Sequence, residues 1–401
     1  MSTPVVTPEQ RRALIVRRHH LGGGAESAEQ VAESLVGLHA TDPATVYLSV
    51  LARGRDLTIA GLQEAMYERR SLVRWMAMRR TLFAFPTATV PIVQAGVSRP
   101  LAATLRRQLV SRLTRNGTEP AIEGDVGEWI ESVEEGAHAA LLARGSATGV
   151  QLSADEPRLR TTITPRAPSD LPANVTSSLL VVMSCDGLMV RGTATGEWTT
   201  RQHRWEPVEH WFPDGLPALE TADAQVSLVR SWLGAFGPAP VSDLEWWTGW
   251  TKTAVRAALS RLPVVEVSLG DAGPGVALPE SLDEIRAQDR SAAAPDPSIA
   301  LLPCLDPTPM GYKTRDWMFP GGPDGHYDRN GNLGPTLWWG GEVVGVWGVA
   351  ASGEVRTRVL VDRGASVVAA AAEAAATLQS RLGGAVVRPV FPTALERALV
   401  A

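Results

Sequence analysis

Three cycles of amphipathic helices, each closed by a pair of short strand-like runs, are followed by a strand-rich C-terminal stretch. This order predicts an α+β fold, predominantly α, with three tandem winged-helix units plus a C-terminal β-rich domain. The implied segments are 1–118 for a first unit with a polar turn and a basic wing, 119–216 for a second and 217–270 for a third, then a linker at 271–298 and the β-rich domain at 299–401. The cycles share an order of elements and not a strict sequence repeat.

In the first cycle, Thr7-Pro8-Glu9-Gln10 is a capping box that starts a helix carrying Leu14, Ile15 and Arg17-Arg18-His19-His20 up to the stop at Gly22-Gly23-Gly24. A second capping box, Ser27-Ala28-Glu29-Gln30, precedes Val31, Leu35, Val36 and Leu38 at a spacing of about 3.6 residues. Asp42 and Pro43 suit the N-cap and first position of a third helix with Val46, Tyr47, Val50 and Leu51 on its apolar face. Between these helices lies the polar turn Gly37-Leu38-His39-Ala40-Thr41-Asp42-Pro43. Capping accounts for Thr41 and Asp42 but does not require His39, so the imidazole is either a hydrogen-bonded structural group or a chemical one. A fourth helix begins near Thr58. Leu72-Val73-Arg74-Trp75 and Thr81-Leu82-Phe83-Ala84-Phe85 then read as strands joined by Met78-Arg79-Arg80, a basic wing placed to meet phosphate.

After the first wing the pattern is helical again from Pro86 to Arg115, and the second cycle follows with helical patterns at Gly127 to Arg144, Ser153 to Ile163 and Val175 to Cys185. Its wing is Leu188 to Arg191 with Arg204 to Pro207, around a polar loop from Gly192 to His203 that carries Trp198, Arg201 and Gln202. In the third, a helix from Ala222 to Phe236 breaks at Gly237-Pro238-Ala239-Pro240, Ser242 caps a helix with Leu244, Trp246 and Trp247, and Thr251 to Leu262 carries Lys252 and Arg256 before the strand Val264 to Val267. Trp246, Trp247 and Trp250 either stack on bases or pack in the core, and their apolar spacing favours the core. Strands are expected at Ala300 to Leu302, Thr336 to Trp339, Val343 to Trp347, Val355 to Val359 and Val386 to Val390, a turn at Asp328-Arg329-Asn330-Gly331-Asn332, and a helix from Ser366 to Leu382.

Composition narrows the function classes. No window approaches the ~20 apolar residues of a membrane span, so a cytoplasmic protein without membrane association is expected. Cys185 and Cys304 are the only cysteines and neither has a CxxC or a neighbouring His, which offers no metal site. The net charge of −5 hides an asymmetry: residues 61–120 hold ten Arg against three acids, leaving 28 basic against 40 acidic residues elsewhere. Concentrated Arg charge attracts a polyanion even in an acidic protein, and solvated helix surface is the plain alternative.

Four separated motifs carry a family resemblance over nearly the whole chain. They are Gly37 to Pro43 followed by Tyr47-Leu48-Ser49; Trp246-Trp247-Thr248-Gly249-Trp250; Leu302-Pro303-Cys304-Leu305-Asp306-Pro307 with Met310 to Asp316; and Asp328 to Asn332. In this order they resemble the winged-helix DNA glycosylases of the AlkZ and YcaQ type. The resemblance implies a monomeric, nucleoid-associated enzyme around duplex DNA that excises bulky or crosslinking N7-alkylated purines, including those made by antibiotic producers. Its catalytic turn typically carries Gln and Gln, or Gln and Asp, separated by one apolar residue. Those positions are His39 and Thr41 here.

An N7-alkylated purine is already cationic, so its loss needs a positioned water and negative or dipolar groups near the developing oxocarbenium, with no metal or organic cofactor. His39, of a residue type whose ordinary pKa is near 6.5, is the expected proton acceptor. Thr41 is expected to hold the water, and Asp42 to stabilise positive charge unless its carboxylate is used as a cap. Expected DNA contacts are Arg74, Arg79, Arg80, Arg201, Lys252, Arg256, Lys313, Arg315, Arg329 and Asn330. The other reading open at this point is a DNA-binding protein that has lost catalysis and acts as a lesion sensor or regulator.

Overall fold

The computed structural model describes residues 2–165, 173–290 and 298–401. Helix α1 (Pro8–Arg18) carries the expected capping box at Thr7. Before α2 (Ala28–Ser34), Ser27 accepts from the Gln30 N–H while the Gln30 side chain takes the N–H of Glu26 instead of Ser27. The chain then turns through left-handed Val36 and Gly37 into a two-residue strand, β1 (Leu38–His39), so two of the seven residues of the polar turn expected between two helices are strand. Helix α3 (Pro43–Leu51) follows, then α4 (Ile59–Gln63), which continues as one π-helical turn. The basic hairpin is β2 (Leu72–Ala77) and β3 (Thr81–Pro86) about the turn Met78–Arg80.

A run of α5 (Val90–Val93), a π turn and α6 (Arg99–Asn116) realises the pattern from Pro86 to Arg115. After β4 (Thr118–Glu119) comes α7 (Val126–Arg144). The helix expected at Ser153 to Ile163 lies earlier, as α8 (Gly149–Asp155), because Pro157 ends it and Ile163 belongs to β5 (Thr162–Ile163). Then follow β6 (Ala173–Asn174), α9 (Thr176–Asp186), β7 (Met189–Ala194) and β8 (His203–Pro207). The third run is α10 (Thr221–Phe236), α11 (Val241–Thr248), α12 (Lys252–Leu259) and β9 (Val265–Ser268). Pro240 occupies the N-cap position of α11 with no side-chain cap, and Ser242, expected as the cap, lies inside the helix.

The stretch expected as a linker is instead structured up to residue 290. Strand β10 (Pro274–Ala277) pairs antiparallel with β9, and α13 (Pro279–Asp289) follows. Residues 291–297 of that stretch lie outside the described residues. Strand β11 (Ile299–Leu302), the four-residue helix α14 (Pro307–Met310), β12 (Thr336–Trp339), β13 (Glu342–Val349) and β14 (Val355–Val359) are followed by α15 (Ala365–Leu382) and a helix not expected from the sequence, α16 (Ala394–Val400). Val386 to Val390, read as a strand, is irregular backbone ending beside Pro389.

The chain divides into two bodies. The first comprises residues 1–72, 83–86 and 226–401. It contains the antiparallel meander β11-β12-β13-β14, on which α15 packs against β11 and β14, and α16 against β13 and β14. Val6 and Leu14 share a core with Val267, Ala277, Leu282 and Ile285, so the N-terminal helix is fastened by the β9–β10 hairpin and α13. The second comprises residues 73–82 and 87–225. Its core joins Leu109 and Leu113 of α6, Ile130, Val133 and Leu141 of α7, and Leu179 and Met183 of α9 under Trp205 of β8. Among the described residues no helix is long and apolar enough to cross a membrane.

Candidate active site

The approach to His39 is fixed by backbone geometry. Val36 (φ 54°) and Gly37 (φ 113°) are both left-handed, and a Cβ on residue 37 would stand 2.5 Å from Phe85 Cε1. Only glycine satisfies both the angle and the space. The turn feeds Leu38 and His39 into register with Ala84 and Phe83 of β3. The His39 ring, 9% exposed, meets Phe83 edge-on at 5.3 Å, and Phe83 in turn lies 5.7 Å from Phe85. Thr41, two residues on, is exposed.

Asp42 is consumed as a cap. It is 2% exposed; Oδ1 accepts from the Ala44 N–H at 3.1 Å, and Oδ2 accepts from the Val390 N–H at 2.8 Å and from the Cys304 thiol at 3.5 Å. The carboxylate faces into the protein and anchors the start of α3.

Every residue of α3 is buried, so its polar side chains must find partners inside. Thr45, Ser49 and Arg53 recur every four residues on one stripe. Thr45 donates to the Cys304 carbonyl at 2.9 Å and Ser49 to Asp306 Oδ2 at 2.8 Å. Arg53 grips Asp306 at two points, 2.7 and 2.9 Å, with neither residue exposed, and donates to Thr308 at 2.7 Å. Thr308 also contacts buried His19 Nδ1, whose Nε2 donates to the Ala235 carbonyl. The motif from Leu302 to Pro307 is therefore a brace under α3 and the turn that precedes it. The motifs around Trp246 and Tyr312 form another: Asp243 accepts from the N–H groups of Lys313 and Thr314, and Tyr312 donates to the Phe236 carbonyl at 2.7 Å amid Trp232 and Phe236.

Arg79, Arg80, Arg201, Lys252, Arg256, Lys313, Arg329 and Asn330 are exposed. Two other expected DNA contacts are buried. Arg74 stands in the fully buried strand β2, opposite Arg191 of β7, and donates to the Gly192 carbonyl. Arg315 donates to the Pro309 carbonyl at 2.8 Å and lies 4.9 Å over Trp246, since a flat, weakly hydrated guanidinium can be covered by a ring. Of the loop from Gly192 to His203, Gly192 to Ala194 continue β7, His203 starts β8 and Trp198 is buried. The Arg surplus at 61–120 is partly neutralised by acids from elsewhere: Arg69 pairs with Glu29, and Arg106 with Glu134 and Asp186. Among the described residues no group of three or more His, Cys, Asp or Glu could hold a metal ion.

This layout has known relatives. The family described as DNA glycosylase AlkZ-like matches residues 32–384. The chain belongs to the AlkZ-like DNA glycosylase family. The fold is similar to that of Streptomyces sahachiroi DNA glycosylase AlkZ, with a TM-score of 0.72 at 20% identity over 96% of this chain and 99% of that one. No curated protein matches. Within this AlkZ-like chain the matched span begins in α2 and takes in the turn from Gly37 to Pro43, the brace at Cys304 to Thr308 and the whole of α15.

Proposed function

We propose that this glycosylase hydrolyses the N-glycosidic bond of bulky or crosslinking N7-alkylated purines in duplex DNA, and that the reaction takes place at His39 and Thr41. The observation that carries the reading is the built entry to β1, where Gly37, Phe85 and Phe83 fix the His39 imidazole two residues before the exposed Thr41, inside the family's matched span. Water attacks C1′ as the bond to the purine breaks. The bonding electrons leave with the base, which departs neutral because it began as a cation. His39 takes the proton of the attacking water, and Thr41 holds that water by hydrogen bond. Asp42 acts from below, its fixed charge holding the N-terminus of α3. Nothing in this scheme calls for a metal or an organic cofactor.

Each helix run with its strand pair serves as a winged-helix unit, and the exposed Arg79, Arg80, Arg201, Lys252, Arg256, Lys313, Arg329 and Asn330 supply phosphate contacts. The protein works as a monomer at the nucleoid, in base excision repair or in self-protection against a genotoxin. The test is incubation with duplexes carrying bulky N7-alkylguanine adducts and quantification of abasic sites. Abasic sites together with free adduct are expected; tight binding with no abasic site on any adduct would show a lesion-binding protein instead.

A further inference from the structure

Beneath the reaction turn is a cavity of about 10 Å³, room for one water, bordered by Asp42, Cys304 and Glu396 among Leu48, Trp347 and Val387. Glu396 stands in the first turn of α16, where Thr393 caps its N–H. Its side chain is 4% exposed, and Oε2 is buried without a hydrogen-bond partner among the described residues. A buried carboxyl oxygen left this way is costly as an anion and tolerable as an acid with a water to donate to. Across the cavity Asp42 already accepts from the Ala44 and Val390 N–H groups and from the Cys304 thiol, the arrangement of an ionised carboxylate. Two negative charges in one closed space repel, and only one of these carboxyls has the donors to stay charged.

We propose that Glu396 is a positioning residue for the reaction turn: held as the neutral acid, it donates through one internal water to the Asp42 carboxylate and so fixes the start of α3, and with it His39 and Thr41. The contact joins α3 to α16 across the cavity that both Asp42 and Glu396 border.

The charges around Glu396 agree. Burial is the largest cause lifting its carboxyl to about 7, and the Asp42 charge adds to it; a backbone hydrogen bond at Thr393 and the neighbouring Arg397 oppose it. Cys304 faces the cavity with its thiol pushed well up, by burial first and then by Asp42. Strand β13 brings Gly348, which has no charge, and the β14 residues Arg356 and Arg358 donate to carbonyls of Leu399, Ala401 and Ala398 at the far end of α16. Because the folded value lies above the ordinary 4.5, the stability contributed is fully present below about pH 4.5 and is lost as pH rises through about 7.

The activity arm of the test rests on the proposed glycosylase reaction, whereas the stability arm does not. Full-length wild type and Glu396→Gln, which keeps the shape and the donor, are compared by thermal unfolding from pH 4.5 to 8.5 and by single-turnover excision from a duplex carrying a bulky N7-alkylguanine. The wild-type unfolding midpoint should fall with rising pH relative to Glu396→Gln. Wild-type excision should decline about tenfold between pH 7 and 8.5, a limb absent from Glu396→Gln, with DNA affinity the same for both. Parallel midpoint curves, or the same declining limb in Glu396→Gln, would overturn the proposal. If neither protein excises, the reaction is refuted separately, and the midpoint curves still decide: divergence supports the Glu396–Asp42 link and parallel curves overturn it.

Discussion

Arg53 and Asp306 form a two-point ion pair, at 2.7 and 2.9 Å, with no solvent on either side. They join the end of α3, the helix that follows His39 and Thr41, to a segment 253 residues further along the chain. Removing one partner strands the other as a buried charge. Arg53→Met and Asp306→Asn should each destabilise the protein by about 3–5 kcal/mol, read by urea denaturation. A loss under about 1 kcal/mol would mean that the brace does not hold α3.

Gly37 sets the direction of β1. Gly37→Ala combines a left-handed φ of 113° with a Cβ pressed into the Phe85 ring, and should cost about 1–3 kcal/mol. Trimming the ring with Phe85→Leu in the same chain should return part of that loss. Equal stability of Gly37→Ala and wild type would show that the turn relaxes freely.

Exposure separates the proposed phosphate contacts from the buried arginines. Neutralising Arg79 and Arg80 together, both exposed at the hairpin tip, should reduce the slope of log affinity against log salt by about two units. Arg315→Gln, which removes a covered guanidinium from Trp246 and the Pro309 carbonyl, should lower the melting temperature and leave that slope unchanged. A reversed pattern would place the DNA path elsewhere.

Both thiols should be silent in the folded protein. Burial pushes Cys185 up to about 12 and Cys304 well above the usual thiol range, and only thiolates are alkylated at a useful rate. Mass spectrometry after iodoacetamide at pH 8 should find no adduct on native protein and two on denatured protein. Fast labelling of Cys304 in the native state would mean that the space under Asp42 opens.

Local signals in the sequence carried most of the secondary structure. Thr7, Asp42, Thr58 and Thr251 cap the helices they announce, and the strand pairs at β2–β3 and β7–β8 follow their apolar runs. The failures are tertiary. The β9–β10 hairpin and α13 hid in a stretch rich in Gly, Pro and Ala because their burial comes from Val6 and Leu14, far away in sequence. Arg74 and Arg315 looked like phosphate contacts because an Arg carries the same charge whether it faces water or a tryptophan ring. For the turn Gly37 to Pro43, the sequence left Asp42 open between cap and chemistry, and the structure uses it as a cap. Its partners Val390 and Cys304 lie more than 250 residues away, and no spacing rule reaches them.

The most direct measurement compares single-turnover excision by wild type, His39→Ala and Thr41→Ala on one duplex bearing a bulky N7-alkylguanine, at saturating protein and matched DNA affinity. Wild type should convert the adduct to an abasic site, and His39→Ala should be slower by roughly 10²–10⁴-fold, the usual contribution of a positioned base, with a smaller loss for Thr41→Ala. Excision by His39→Ala at the wild-type rate would contradict the assignment of the reaction to this turn.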